Sequence, residues 1–178
     1  TTTDAVFNDI VKIFTDVRVT AAGQMTFAQT IDGDTAGTRS LTLDGGNIAF
    51  ISVDGAVGAT NPLKTLEVVN SEFTAFNAHV TANTSVVLTD TANSIAFNSG
   101  LTTPTLTVEA QPFALTLRGP VSVTNAVTLA NTGTAQLGGV ESDNLHFAGG
   151  LVATAPSALS VAGTIRSTDQ AIVLGRSD

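Results

Sequence analysis

Acidic side chains are the main supply of reactive groups in this sequence of 178 residues, which has 15 Asp and Glu, two histidines and no cysteine. Asp32 and Asp34, in Ile31-Asp32-Gly33-Asp34, could gather with Asp44 and Asp54 of later Asp-Gly turns around Ca²⁺, a hard cation that prefers oxygen ligands. Neither the nonapeptide calcium repeat nor the EF-hand loop is present, so solvated turns are the plainer reading. Two carboxyls drawn from Asp32, Asp34, Glu67, Glu72 or Glu109 could divide the acid and base roles of glycoside hydrolysis. No spacing selects a pair, and the absence of Trp and Tyr removes the usual sugar-stacking platforms.

The other reactive residue types are sparse. His79 and His146 lack the spacing of a metal pair, and His146 alternates with Leu145 and Phe147, which turns it outward as a surface histidine. Zero cysteine excludes disulfides, thiolate metal sites and cysteine nucleophiles. Serine nucleophile elbows and phosphate-binding glycine loops are absent, and the sequon Asn83-Thr84-Ser85 reads as a chance match. The sequence assigns no catalytic, cofactor-binding or metal-binding residue.

Charge narrows the partners. The net charge is −8, and seven Lys and Arg are scattered from Lys12 to Arg176. Nucleic-acid binding needs a basic patch to neutralise phosphates, so that class is set aside, and an anionic membrane surface is disfavoured for the same reason. No apolar run approaches the ~20 residues of a spanning helix. Thr1-Thr2-Thr3-Asp4 carries no signal-peptide pattern.

The elements that must position these groups are short strands. Apolar and polar residues alternate through Ser40-Leu41-Thr42-Leu43, Leu106-Thr107-Val108, Phe113 to Leu117, Val121-Ser122-Val123 and Leu145-His146-Phe147, with Asp-Gly and Asn-Ser-Gly turns between such runs. A hidden repeat organises them. Val11, Ile13, Val17, Val19, Gly23 and Phe27 match Val121, Val123, Val127, Leu129, Gly133 and Leu137, apolar for apolar. Within it, Gln24, Asn47, Asn70 and Asn93 recur in step with Phe27, Phe50, Phe73 and Phe97. A period in the low twenties built from alternating strands reads as one parallel β-solenoid over 1–178, of about eight coils and about 40 Å long. A β-sandwich would give its strands no reason to repeat as whole turns. Residues 4–10, with Val6, Phe7 and Ile10 after Asp4, have room for a short capping helix.

The phrase Gly46-Asn47-Ile48-Ala49-Phe50, running through Val57-Gly58-Ala59-Thr60-Asn61-Pro62-Leu63 to Leu66-Glu67-Val68, resembles the β-strand-repeat regions of large bacterial exoproteins and adhesins of the filamentous-haemagglutinin type. Ser40 to Gly45, Gly163-Thr164-Ile165 and Leu174-Gly175 have the same character. The resemblance implies an exported, right-handed parallel β-solenoid (β-helix) in surface attachment or matrix building, with host or matrix glycans as partners. It carries over no functional residue.

Several expectations follow. Phe27, Phe50, Phe73 and Phe97 should form an internal aromatic ladder that Val121 and Phe147 continue, so Phe50→Ala or Phe73→Ala should cost about 3–5 kcal/mol and the outward Glu72→Ala less than about 0.5 kcal/mol. The Gln24, Asn47, Asn70, Asn93 column should stack at a corner. Thr103-Pro104-Thr105 and Thr105-Leu106-Thr107 raise an ice-binding alternative, although such pairs do not clearly recur at the coil period. The terminal coils, near Val11 and at Ala171 to Leu174, lack caps, so the chain is expected to be either a fragment of a longer repeat protein or a subunit that stacks end to end into a filament. A non-enzymatic structural or adhesive role, extracellular or on a bacterial cell surface, fits these features together.

Overall fold

A computed structural model describes residues 3–175; Thr1, Thr2, Arg176, Ser177 and Asp178, which the sequence reading touched, lie outside it. The chain is a β-solenoid of eight stacked coils, and every strand pairing is parallel. Each coil contributes a strand, or at Val57 a single bridge residue, to each of three walls. Wall A runs Ala5–Phe7, Met25–Phe27, Phe50–Val53, Phe73–Phe76, Ser94–Phe97, Ala114–Leu117, Thr134–Leu137 and Ala158–Val161. Wall B begins with Val11–Ile13 and Ile31–Gly33, passes through a bridge at Val57, and ends with Asn144–Phe147 and Thr164–Arg166. Wall C begins with Val17–Thr20 and Ser40–Asp44 and ends with Leu151–Ala153 and Ile172–Leu174. Val80–Leu88 bends around a corner and serves walls B and C in turn.

Strand alternation builds the core directly. Each short strand sends two side chains inward, and parallel register stacks them into columns. On wall A one column reads Phe7, Phe27, Val53, Phe76, Phe97, Leu117, Leu137 and Val161. On wall B the leading column reads Val11, Ile31, Val57, Val80, Leu101, Val121, Leu145 and Ile165. Val11 and Val121 therefore share a column five coils apart, as do Phe27 and Leu137, and the repeat seen in sequence is the repeat of the coils.

The corners also explain some residue types. Gly138 combines φ 78° with an approach so close that a Cβ would lie 2.0 Å from the Ala162 carbonyl oxygen. Only glycine meets both conditions. Inward polar residues at the corner from wall C to wall A satisfy one another: buried Ser71 Oγ donates to Thr91 Oγ1 at 2.9 Å, and Thr91 Oγ1 lies 2.9 Å from both the Ser71 and the Glu72 carbonyl oxygens.

Two expectations need correction. Ala5–Phe7 is a strand of wall A, not part of a helix, because Ala5 N donates to Gln24 O at 2.8 Å and pairing with the next coil fixes the segment. Phe50 and Phe73 are not interior: they point out of wall A, 48% and 37% exposed, while Ile51, Val53, Thr74 and Phe76 face inward. The inward ring pairs are Phe7–Phe27, with Phe7 half buried at the first coil, and the fully buried Phe76–Phe97, stacked at centroid distances of 4.6 and 4.8 Å. Val121 and Phe147 are buried, but on wall B and in different columns, so they do not continue that ladder. Glu72 lies half buried at the corner, where its Oε1 accepts from Asn93 Nδ2 at 3.5 Å on the exposed side.

Candidate functional site

The carboxylates are dispersed around the rod and engaged with the chain's own turns. Asp32 Oδ1 accepts from both Thr60 N and Asn61 N at 3.0 Å, which pins the long corner of the next coil. Asp34 pairs with Arg39, Nε to Oδ1 at 2.6 Å, and that guanidinium bond holds the Asp34 carboxyl below its ordinary range. Asp44 accepts from Arg18 and from Gly46 N, and Asp54 from Ser52 Oγ and Asn77 Nδ2. Glu67 accepts from Thr42 Oγ1 on wall C, and Glu109 lies exposed beyond the wall C strand Thr105–Val108. Among the described residues no three His, Asp or Glu side chains converge in a way that could hold a metal ion.

The predicted amide column forms only in part. Asn70 Nδ2 donates to Asn47 Oδ1 across adjacent coils. Asn93, however, lies over Glu72, with its N–H bonded to the Glu72 carbonyl at 3.0 Å, and Gln24 aligns with Phe50 on wall A. Coil length is the physical reason. The residue numbers along the wall A column show coils of unequal length, so a fixed sequence spacing drifts out of register.

Hydroxyls do line the outside of wall C in register. Ser40, Thr65, Ser85 and Thr105 form one column, and Thr42, Glu67, Val87 and Thr107 form the next. Many of these groups bond laterally: Thr65 to Ser85 at 3.1 Å, Thr42 to Glu67 at 3.2 Å, and Asn125 to Thr105 at 2.9 Å. A face whose hydroxyls are engaged with each other and interrupted by Glu67 and Val87 is a poor template for ordered water.

Wall A and wall B differ in character. The outside of wall A carries the stacked Phe50–Phe73 pair, centroids 5.2 Å apart, followed by the small residues Ala75, Ser94, Ala96 and Ala114. The outside of wall B carries both histidines. His79 Nε2 lies 3.0 Å from Thr102 Oγ1 on the next coil, and His146 Nε2 lies 3.0 Å from Thr168 Oγ1. His146 points outward, where alternation with Leu145 and Phe147 places it.

Of several surface concavities, two bear on a site. One, of about 500 Å³, opens between Thr20–Ala22 and Gly45–Ile48, where the 3-10 turn Gly46–Ile48 lifts the chain off the corner. Its lining is mostly small residues, with Asp44 already bonded to Arg18. The smaller, about 190 Å³, lies on wall B among Thr102, Pro120, Ser122, Asn144, His146 and Arg166. It brings hydroxyl, amide, imidazole and guanidinium groups together, and sequence reasoning missed it because its members lie on four different coils. No described helix is long and apolar enough to cross a membrane. Comparison with protein-family models, with curated proteins and with solved structures finds no match.

Proposed function

We propose that this chain is a non-enzymatic structural or adhesive β-solenoid module that works outside the cell or on a bacterial cell surface. The carrying observation is the continuity of its inward columns. They run from the first coil to the eighth and arrive half covered at both ends, with Phe7, Val11 and Val17 at one and Leu159, Ile165 and Ile172 at the other. Val161 and Leu174 are 55% and 40% exposed for the same reason. Unpaired strand edges beside half-covered apolar columns accept another coil. That coil can belong to the same polypeptide or to a second copy. In the second case Val161 would stack on Phe7, Ile165 on Val11 and Ile172 on Val17, extending the existing columns.

A joint of this kind between copies is heterologous and does not close, so it propagates as a filament. The resemblance to exoprotein repeats and the cysteine-free, Thr- and Asn-rich composition support an exported location. Sedimentation velocity across a concentration series, followed by electron microscopy, tests the self-association. Species that lengthen along the rod axis as concentration rises are expected. Monomers at every concentration would remove the filament from the proposal.

A further inference from the structure

Register converts four dispersed residues of wall B into a file. Thr102 pairs with Ser122, Ser122 with His146, and His146 with Arg166, so their side chains follow one another outward on successive coils. At a coil rise of about 4.8 Å this file runs along the rod axis. Pro120 and Asn144 occupy the neighbouring column and pair with each other. Together with Val121, these six residues line the open hollow of about 190 Å³.

Its chemistry departs from that of the chain as a whole. The net charge is −8, yet the lining contains Arg166 and His146 and no acid. Of the acids nearest in sequence, the exposed Asp169 follows Arg166 by three residues, and two others sit on the turn before Asn144. There Asp143 is directed into its own loop, accepting from Gly139 N at 2.6 Å and Val140 N at 3.3 Å, and Glu141 is exposed on the outside of the turn. Arg166 is braced within the hollow, its Nε donating to Asn144 Oδ1 at 3.2 Å. That bond orients the guanidinium while its terminal nitrogens make no other hydrogen bond among the described residues. His146 is held through Nε2 by Thr168, while its Nδ1 makes no hydrogen bond among the described residues, and the exposed Pro120 adds an apolar ring to the lining.

A planar guanidinium fork matches a carboxylate, bonding both oxygens at once. Hydroxyl and imidazole groups that both donate and accept suit the ring hydroxyls of a sugar, and a proline ring suits its C–H face. The hollow is shallow and continues along the axis, so it fits one unit of a chain better than an isolated small molecule. The geometry points to a subsite for a carboxylated sugar, one uronate residue of an acidic polysaccharide lying along wall B, with its carboxylate on Arg166 and its hydroxyls toward Ser122 and His146. This deepens the adhesive part of the function proposed above, and it stands or falls separately from the end-to-end joint.

Calorimetric titration of the whole chain with a linear oligouronate, a neutral dextran and a sulfated oligosaccharide of equal charge tests it. The oligouronate should bind and the dextran should not. Arg166→Gln should weaken oligouronate binding at least about tenfold. Lys64→Gln, the same change of charge on an exposed residue of another coil, should leave the affinity unchanged. Ser122→Leu, which fills the hollow, should abolish binding without moving the melting temperature. Absence of oligouronate binding, equal loss in the Arg166 and Lys64 variants, tighter binding of the sulfated sugar, or binding retained by Ser122→Leu would each overturn the assignment.

Discussion

Phe76→Ala is the sharpest test of the inward face. Phe76 is fully buried, stacks on Phe97 at a centroid distance of 4.8 Å and 14° between planes, and has Val53 beneath it on the preceding coil. Truncation removes a whole ring from a column whose neighbours are fixed by backbone ladders on both sides, so the gap cannot readily close. The expected cost is about 3–5 kcal/mol. For a chain of this size each 1 kcal/mol lowers the melting temperature by about 2–4 °C, so a fall of roughly 10 °C is expected. Phe50→Ala is the matched control. Phe50 is 48% exposed and its main contact is the outward stack on Phe73, worth about 1 kcal/mol. Denaturant titrations and thermal melts of both variants read the difference, with the denaturant slope checked because repeat arrays can unfold in stages. Equal losses at Phe50 and Phe76 would refute the strand phase on wall A.

Three further outcomes are expected. Thr91→Val keeps the shape of the buried corner but removes the hydroxyl that accepts from Ser71 Oγ and donates toward the Ser71 and Glu72 carbonyls; because those carbonyls keep the Ala92 and Asn93 N–H groups, the cost in denaturant titration should be about 1 kcal/mol. Gly133→Ala would place a Cβ 2.2 Å from the Phe113 carbonyl oxygen of the preceding coil, so it should lower the melting temperature markedly, whereas Gly46→Ala, with open space around its Cβ, meets only the strain of φ 59° and should cost less. The Asp143 carboxyl is held below its ordinary range, first by the Gly139 N–H and also by that of Val140. A lowered folded-state value means its stabilisation is complete above about pH 4, the usual carboxylate value, and is lost as pH falls through the folded value. The gap in melting temperature between wild type and Asp143→Asn should therefore be full at neutral pH and close on acidification; a constant gap would contradict the cause given.

The architecture was legible because a solenoid writes itself into the sequence. The match of Val11 to Phe27 with Val121 to Leu137 reports columns that the coils share, and alternation assigned Val121, Val123, Leu145 and Phe147 inward correctly. The phase at Phe50 and Phe73 was hidden for a physical reason. Ile48, Phe50, Ile51 and Val53 put apolar residues on both parities of one segment, as do Phe73 and Phe76, and the larger ring is not always the buried one. Pairing decides instead: Met25 aligns with Ile51, and Ile51 with Thr74. Extra residues between Gly33 and Ser40 and in the Gly46–Ile48 turn lengthen the second coil, which is why an even spacing misled. The wall B hollow escaped for a related reason. Thr102, Ser122, His146 and Arg166 become neighbours only after the coil register is known, and sequence alone offered His146 as an isolated outward residue.

Incubation of the whole chain with a panel of neutral, carboxylated and sulfated polysaccharides, followed by sizing of the glycans and assay of new reducing ends, tests the central claim most directly. A module that works by its surfaces leaves every glycan at its original length, whether or not one of them is retained. Reproducible shortening of any polysaccharide, abolished by a substitution on the rod surface, would contradict the account and make the chain an enzyme.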